Sequence, residues 1–260
     1  MNNILDGFSK KLRKNILFVA NNSGEASHIG GSLSMVEILT CLYAKILRKE
    51  KKSIFILSKG HGFMGLLACL YLVKKITKKD FLSFQSNGSE FIAHPIMNLK
   101  KGIESSNGSL GQGLSFAVGI ALAKKKRKEK GNVYVLVGDG ECYEGSIWEA
   151  AITATENNLD NLFVIVDSNG FQNDGPISSK MDTSNLIKKW KGFNWDVDTC
   201  DGHNLNKLLK KIKTSKVKKP KVLVAKTIKG KGVSFMENNN DWHHGRLTEK
   251  LYSKAINNLK

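Results

Sequence analysis

Short apolar runs alternate along this chain with longer segments of helical periodicity. Four runs rich in β-branched and aromatic residues are continuously apolar, at positions 53–58, 132–139, 161–167 and 221–228. Such runs are typical of strands buried on both faces of a parallel sheet. Apolar residues recur at helical spacing over 33–47, 61–75, 113–130 and 145–158. The alternation predicts an α/β fold with a doubly wound, mostly parallel sheet and helices on both faces.

The length and composition favour a single domain. The chain has 260 residues, 41% of them hydrophobic, only three prolines and no Ser/Gly/Pro-rich linker, so we expect one domain over 1–260. The N-terminal segment has basic residues on both sides of a short apolar run, and no run reaches membrane-spanning length. We therefore expect a cytoplasmic protein without a membrane partner. The four cysteines are far apart and lack a C-x-x-C pair, which favours buried thiols over zinc or disulfides.

The formal net charge of +18 requires that nucleic-acid binding be considered. The basic residues are scattered along the chain, and lysine far outnumbers arginine. Base readout favours arginine, and single-stranded binding favours stacked aromatic residues. We therefore expect no nucleic-acid partner. The charge favours affinity for phosphorylated metabolites or for an acidic protein. The alternative is a coding bias toward A-rich codons, which would raise lysine and asparagine together.

Polar residues follow two of the predicted strands at the point where each strand ends. Gly138, Asp139 and Gly140 follow the second strand, and Asn169 follows the third. The carboxyl ends of parallel strands share one edge of a sheet, and carboxylate and amide oxygens are suitable ligands for a hard cation. This pattern predicts a phosphate and metal site, although a lone G-D-G is more often a structural turn.

Two other glycine-rich segments do not fit known nucleotide motifs. In the segment 108–119, Phe116 occupies the place of the third glycine of a dinucleotide fingerprint. The segment 229–234 lacks the spaced first glycine of a P-loop.

The spacing of G-D-G and Asn169 resembles the thiamine diphosphate motif, in which the aspartate and asparagine bind the metal that anchors the diphosphate. Other segments are similar, in the same order, to the N-terminal part of transketolase. The chain most resembles a separately encoded transketolase N-terminal subunit with the thiamine diphosphate-binding fold. The matching segments are SHIGGSLS (27–34), LSKGHG (57–62), AHP (93–95), SSNGSLGQGLSFAVGIALA (105–123), GDGECYEGSIWEAA (138–151), VDSNGFQNDGP (166–176), DGHN (201–204) and WHHG (242–245).

The resemblance implies a metal site for Mg²⁺, or for Ca²⁺ or Mn²⁺ in its place. Asp139, Asn169 and the carbonyl group of Phe171 would each provide one oxygen ligand. Two diphosphate oxygens and one water would complete the octahedron that Mg²⁺ prefers.

The resemblance also implies contacts with the organic cofactor. His61 would hydrogen-bond the diphosphate, and backbone groups of Gly108 and Leu110 would face the aminopyrimidine. Gly138 and Gly140 would let the backbone pass close to the phosphates.

Two acidic residues, Glu144 and Glu149, match positions that in the family join an acidic network between paired active sites, and Glu144 is also expected at the cofactor. The alternative is that both are solvated acids in the first turns of an amphipathic helix.

Histidines carry the expected substrate chemistry. By the resemblance, His28, His94 and one of His243 and His244 would bind the hydroxyl groups of the donor and move protons. Any one of them alone would more often be structural. The sixth histidine, His203, is interpreted as part of a turn that opens the next helix.

The resemblance implies transfer of a two-carbon ketol group from a ketose or ketose phosphate to an aldose, with sugars or sugar phosphates as substrates. It also implies a complementary C-terminal, pyrimidine-binding subunit in an α2β2 assembly, because the glutamate that activates the cofactor belongs to that domain. Without that chain the protein would be inactive. The alternatives are a 2-oxo acid decarboxylase or dehydrogenase E1 component, a split enzyme of a specialised sugar or natural-product pathway, and a basic binding protein.

Overall fold

The centre of the protein is a five-stranded sheet in which every neighbouring pair of strands is parallel. A computed structural model describes residues 2–178, 182–212 and 217–259. The strands in these ranges are β1 (Ala26–Ser27), β2 (Ile54–Leu57), β3 (Val133–Gly138), β4 (Leu162–Ser168), β5 (Phe171–Gln172), β6 (Gly175–Pro176), β7 (Asp196–Asp201), β8 (Lys221–Lys226) and β9 (Gly245–Arg246). The order across the large sheet is β2-β3-β4-β8-β7. The four predicted strands and the parallel α/β layer are confirmed.

Helices cover both faces of this sheet. They are α1 (Asn2–Ser23), α2 (Ile29–Ser34), α3 (Val36–Cys41), α4 (Leu47–Lys49), α5 (Phe63–Leu72), α6 (Lys78–Leu82), α7 (Gln112–Lys126), α8 (Gly145–Glu156), α9 (Thr183–Gly192), α10 (Leu205–Lys211) and α11 (Glu249–Asn258). Alternate strand residues face opposite sides. Tyr134 and Leu136 pack with α1, α3 and α5, whereas Val133 and Val135 pack with α7 and α8. The doubly wound arrangement therefore follows from strands that are apolar on both faces.

The prediction of one helix over 33–47 is wrong in its bounds and its continuity. It begins earlier, breaks at Met35 between α2 and α3, and passes through a π-helical turn at Leu42–Ile46 before α4. Residues 29–42 are buried throughout, so their apolar pattern has no exposed face that would reveal where the helix breaks. The helix predicted over 113–130 ends at Lys126, because Lys128 has a left-handed φ of 56°.

Strand β7 was not predicted. It is an edge strand with three aspartates, and none of its side chains is fully buried. It therefore lacks the continuous apolar run that identifies the central strands.

The predicted helix after His203 is confirmed. It is α10, and the side chain of its N-cap residue Asn204 accepts a hydrogen bond from the backbone of Lys207. Three of the cysteines are buried thiols as expected, and Cys200 is half-buried. Among the described residues, no helix is both long enough and apolar enough to cross a membrane.

Candidate active site

The turns that follow four parallel strands meet at one edge of the sheet. Gly138 is paired with Asp167, and Ser168 is paired with Lys226, so β3, β4 and β8 end at similar heights. This edge is the usual ligand position in a parallel α/β sheet. The converging turns span 58–62, 139–144, 169–176 and 227–232.

Asp139 and Asn169 are held close together at this edge. Asp139 is 3% exposed, and its two carboxylate oxygens accept hydrogen bonds from the backbone N–H groups of Gly140 (2.9 Å) and Gly170 (2.7 Å). Asn169 is 8% exposed, and its side-chain oxygen accepts from the N–H of Phe171 at 3.0 Å. The two oxygen donors are thus fixed by the backbone of the same loop.

The protonation of Asp139 reflects its burial. Burial raises its pKa to about 7, the nearby charge of Asp167 adds to this effect, and the two backbone hydrogen bonds oppose it. A divalent cation beside a carboxylate favours the ionised form.

Most of the predicted cofactor contacts line one cleft. Gly108 lies outside this lining and packs against His94, since a methyl group on Gly108 would come 3.8 Å from the His94 ring. Glu144 lines the cleft, while Glu149 is exposed further along α8. The predicted residues in the cleft are His61, Leu110, Gly138, Asp139, Gly140, Glu144, Asn169, Phe171 and His243.

Five histidines form one cluster beside this cleft. The ring centroid of His28 lies 5.6 Å from those of His61 and His94, 5.4 Å from that of His243 and 4.7 Å from that of His244. The rings of His61 and His243 are stacked at 5.6 Å. All the histidines that were predicted to act on cofactor or substrate are therefore neighbours.

A two-stranded ribbon brings the first and last of these histidines together. Strands β1 and β9 pair antiparallel, with Ser27 opposite Gly245. His28 directly follows β1, and His244 directly precedes β9. This pairing brings the ring centroids of His28 and His244 within 4.7 Å of each other.

Four rings of the cluster, those of His28, His61, His94 and His243, have lowered pKa values and are neutral near pH 7. Burial, reinforced by the charges of neighbouring histidines, lowers the pKa of His28 to about 3. Burial and Lys229 lower the pKa of His243 to about 4. Burial also lowers the pKa of His61, well below its usual value, and that of His94. A neutral imidazole can donate and accept hydrogen bonds at the same time, which suits the recognition of hydroxyl groups.

Sequence reasoning missed a buried ion pair beneath the cleft. The ammonium group of Lys59 lies 2.5 Å from a carboxylate oxygen of Asp167, and both side chains are fully buried. Ser34 and Thr227 also donate to Asp167, and Lys59 donates to the carbonyl of Gly31 at 3.1 Å. Burial raises the pKa of Asp167, but Lys59 and these hydrogen bonds outweigh it, so the pKa is lowered. The sequence signal that could have identified this ion pair is a charged residue at the end of a continuously apolar run: Lys59 follows the run 53–58, and Asp167 ends the run 161–167.

A second lysine was also missed. Lys229 is 1% exposed, and its ammonium group lies 2.8 Å from the side-chain oxygen of Asn240 and 2.8 Å from Nδ1 of His243. It also lies 5.4 Å from the ring centroid of Phe171. Burial and the charge of Lys59 lower the pKa of Lys229 to about 8.

Glu141 is the third missed residue. Its carboxylate is 1% exposed and accepts from the hydroxyl of Ser58 (2.5 Å) and the N–H groups of Gly111 (2.9 Å) and Gly138 (3.1 Å). It therefore joins the turn before α7 to the end of β3. Burial raises its pKa, and these hydrogen bonds oppose the rise.

The residues present fit a metal-bound diphosphate. Asp139 and Asn169 offer two hard oxygen donors, and Lys59 and Lys229 supply buried positive charge. The backbone packs closely here, since a methyl group on Gly60 would overlap the carbonyl oxygen of Asn107.

Comparison with known proteins agrees with this geometry. Residues 14–258 match the family described as transketolase, thiamine diphosphate binding domain. The chain is 39% identical over 248 residues to an apulose-4-phosphate transketolase subunit of Actinobacillus succinogenes, covering 92% of this chain and 90% of that protein. It is 36% identical over 242 residues to the 6-deoxy-6-sulfo-D-fructose transketolase subunit SqwG of Clostridium sp. (strain MSTE9), covering 90% and 88%.

A solved structure is similar over nearly all of this chain. The transketolase of Campylobacter jejuni superimposes with a TM-score of 0.86 and 25% identity, covering 97% of this chain. This chain spans only 43% of that protein. The chain therefore belongs to the transketolase family, in which it corresponds to the thiamine diphosphate-binding domain.

Proposed function

We propose that this chain is the diphosphate-binding subunit of a split transketolase that moves a two-carbon ketol group from a ketose or ketose phosphate to an aldose. The observation that carries the proposal is the histidine cluster, centred on His28, beside the oxygen donors of Asp139 and Asn169. A 2-oxo acid enzyme would not need such a series of hydroxyl-binding imidazoles. The cluster therefore favours a polyhydroxylated donor.

Asp139, Asn169 and the carbonyl of Phe171 would hold Mg²⁺, or Ca²⁺ or Mn²⁺, at the end of β3 and β4. Lys59, Lys229 and His61 would balance and bind the diphosphate of the cofactor. When bound, thiamine diphosphate supplies the nucleophilic carbon that accepts the two-carbon group. Gly108 and Leu110, on the turn held by Glu141, would face its aminopyrimidine.

The geometry supports different tasks for the two adjacent histidines. His243 is half-buried and bonded to Lys229, so it belongs to the diphosphate end. His244 is exposed and is the ring nearest to His28. We assign His28, His94 and His244 to the hydroxyl and carbonyl groups of the donor, where an imidazole can form hydrogen bonds or move a proton.

A complementary pyrimidine-binding subunit, in an α2β2 assembly, is part of the proposal. Two relatives that match along most of their length are named as subunits, whereas this chain spans 43% of the Campylobacter transketolase. Two exposed apolar side chains on adjacent helices support a partner: Phe116 on α7 is 45% exposed and Ile152 on α8 is 49% exposed. Glu144, the N-cap residue of α8, and Glu149 on that helix are both exposed, where an acidic network could cross such an interface. We place the assembly in the cytoplasm.

The cofactor site is tested by titrating Asp139→Ala and Asn169→Ala with thiamine diphosphate and Mg²⁺ in a calorimeter. Each change removes one oxygen ligand, so we expect metal-dependent affinity to fall while circular dichroism stays unchanged. Asp174→Ala is the matched control, because Asp174 lines the same cleft but is exposed. Unchanged affinity in both site variants would remove the assignment.

The activity is tested with xylulose 5-phosphate and pyruvate as alternative donors. The chain purified alone should be inactive with saturating cofactor, and ketol transfer should appear when the complementary subunit is added. Consumption of pyruvate without ketol transfer would favour the 2-oxo acid class, and turnover by the pure single chain would exclude the heteromer.

A further inference from the structure

A hydrogen-bonded network outside the cleft connects α1 and α3 with the loop that carries Lys229. At its centre, the carboxylate of Glu37 is 5% exposed. Arg13 approaches it with both terminal nitrogens, at 2.6 Å and 2.8 Å. His203 Nδ1 lies 2.8 Å from the same carboxylate. Burial raises the pKa of Glu37, but the bonds from His203 and Arg13 outweigh it and the pKa is lowered.

Both partners of Glu37 also bind the loop backbone, one on each side of Lys229. The N–H of Ile228 donates to Nε2 of His203 at 2.8 Å. Nε of Arg13 donates to the carbonyl of Lys231 at 3.0 Å. The loop backbone is thus held by a hydrogen bond at Ile228, directly before Lys229, and by a second one at Lys231.

The tautomer of His203 follows from these bonds. Because Nε2 accepts a backbone N–H, the ring proton must be on Nδ1, which donates it to Glu37. The carboxylate therefore orients the imidazole so that its other nitrogen can accept. This is the arrangement by which a buried acid fixes a histidine in the correct tautomer.

The loop also packs directly on Arg13. Gly232 has a φ of 96°, and a methyl group there would lie 2.8 Å from Nε of Arg13. The glycine is thus required both by the backbone conformation and by the close approach of the guanidinium.

We propose that Arg13, Glu37 and His203 act as positioning residues that hold the ammonium group of Lys229 at the diphosphate end of the cleft. None of the three lines the cleft itself. They act through the backbone of residues 228–231. The ligand of Lys229 is a cofactor diphosphate, so this part of the inference rests on the proposed function.

The first test measures the accessibility of Lys229 by acetic anhydride labelling of the full chain and mass spectrometry. Glu37→Gln and His203→Ala should each raise the labelling rate of Lys229 about tenfold, the scale of one lost hydrogen bond. Lys59 is the internal reference, because it is equally buried in the same site but lies on another turn. Asp198→Asn is the control, since it breaks the ion pairs that Asp198 on β7 forms with Lys211 on α10 and with Lys221 on β8.

The ratio of Lys229 to Lys59 labelling decides the outcome. A selective rise at Lys229 supports the positioning role, whereas an equal rise at both lysines indicates general loosening and overturns it. An unchanged ratio also overturns it. If Glu37→Gln does not fold, His203→Ala decides alone, because it leaves the pair of Glu37 and Arg13 intact.

The second test titrates inorganic pyrophosphate in the presence of Mg²⁺. His203→Ala should weaken binding about tenfold in the wild-type background and have no effect in a Lys229→Met background. A persistent effect without the lysine would overturn the coupling. If Lys229→Met and Asp139→Ala both leave pyrophosphate binding unchanged, the proposed function fails, while the labelling result stands independently.

Discussion

Replacing His28 by glutamine should make the protein less sensitive to acid. His28 is the centre of the histidine cluster, and its pKa is about 3 in the folded chain, against 6.5 for the free side chain. Because the folded-state pKa is lowered, the unfolded chain binds the proton more readily, and stability falls as the pH drops below 6.5.

The magnitude follows from the same values. At about pH 5, the unfolded imidazole is protonated while the folded one is not. Proton binding stabilises the unfolded chain by about 1.4 kcal/mol for each pH unit below its pKa of 6.5. At about 1.5 pH units below that value, the loss of stability is at most about 2 kcal/mol. Urea unfolding followed by circular dichroism, at about pH 7.5 and about pH 5, measures the change in both proteins. We expect the wild-type free energy of unfolding to fall by about 2 kcal/mol more than that of His28→Gln. Equal losses in the two proteins would refute the argument that His28 stays neutral when buried.

Three further changes test other parts of the site. Asp167→Asn leaves a fully buried ammonium without its carboxylate, so urea unfolding should show a loss of about 3–5 kcal/mol, and a loss below about 1 would contradict the buried ion pair. His94→Ala should lower the turnover of the reconstituted enzyme far more than it lowers cofactor affinity, because its assigned contact is with the donor; the reverse pattern would place it at the cofactor. Gly60→Ala should weaken thiamine diphosphate binding, since its methyl group displaces the carbonyl of Asn107 and hence the next turn. Gly119→Ala should not, because no atom of the described residues lies within 4 Å of the added methyl group; equal effects would argue against the steric account.

The central strands could be predicted because they are apolar on both faces. A parallel sheet covered on both sides buries such runs, and β2, β3, β4 and β8 lie where the pattern indicated. The edge strand β7 and the breaks around Met35 could not be predicted. The polar residues of β7 interrupt its apolar run because they are partly exposed at the sheet edge. Around Met35 every residue is buried, so no polar face marks where one helix ends and the next begins.

Short motifs identified many of the candidate site residues, but not the groups that hold them. Asp139, Asn169, His61 and His244 stand directly beside glycines, and the other histidines of the cluster lie in short recognisable segments. Lys59, in contrast, is one of many lysines, and only tertiary packing shows that it is fully buried against Asp167. Glu141 likewise looks like an ordinary acid at a helix start until its three hydrogen-bond partners are seen.

The ribbon formed by β1 and β9 has a consequence for the timing of folding. The last strand of the large sheet, β8, ends at Lys226, whereas His243 and His244 follow it in the sequence. Contacts between distant parts of a chain form slowly, and a growing chain can fold only the segments already synthesised. We therefore expect that a nascent chain can complete its sheet, with Asp139 and Asn169 at its edge, while His28 still lacks two of its neighbours. The histidine cluster would then be assembled last, when β9 pairs with the strand made at the beginning.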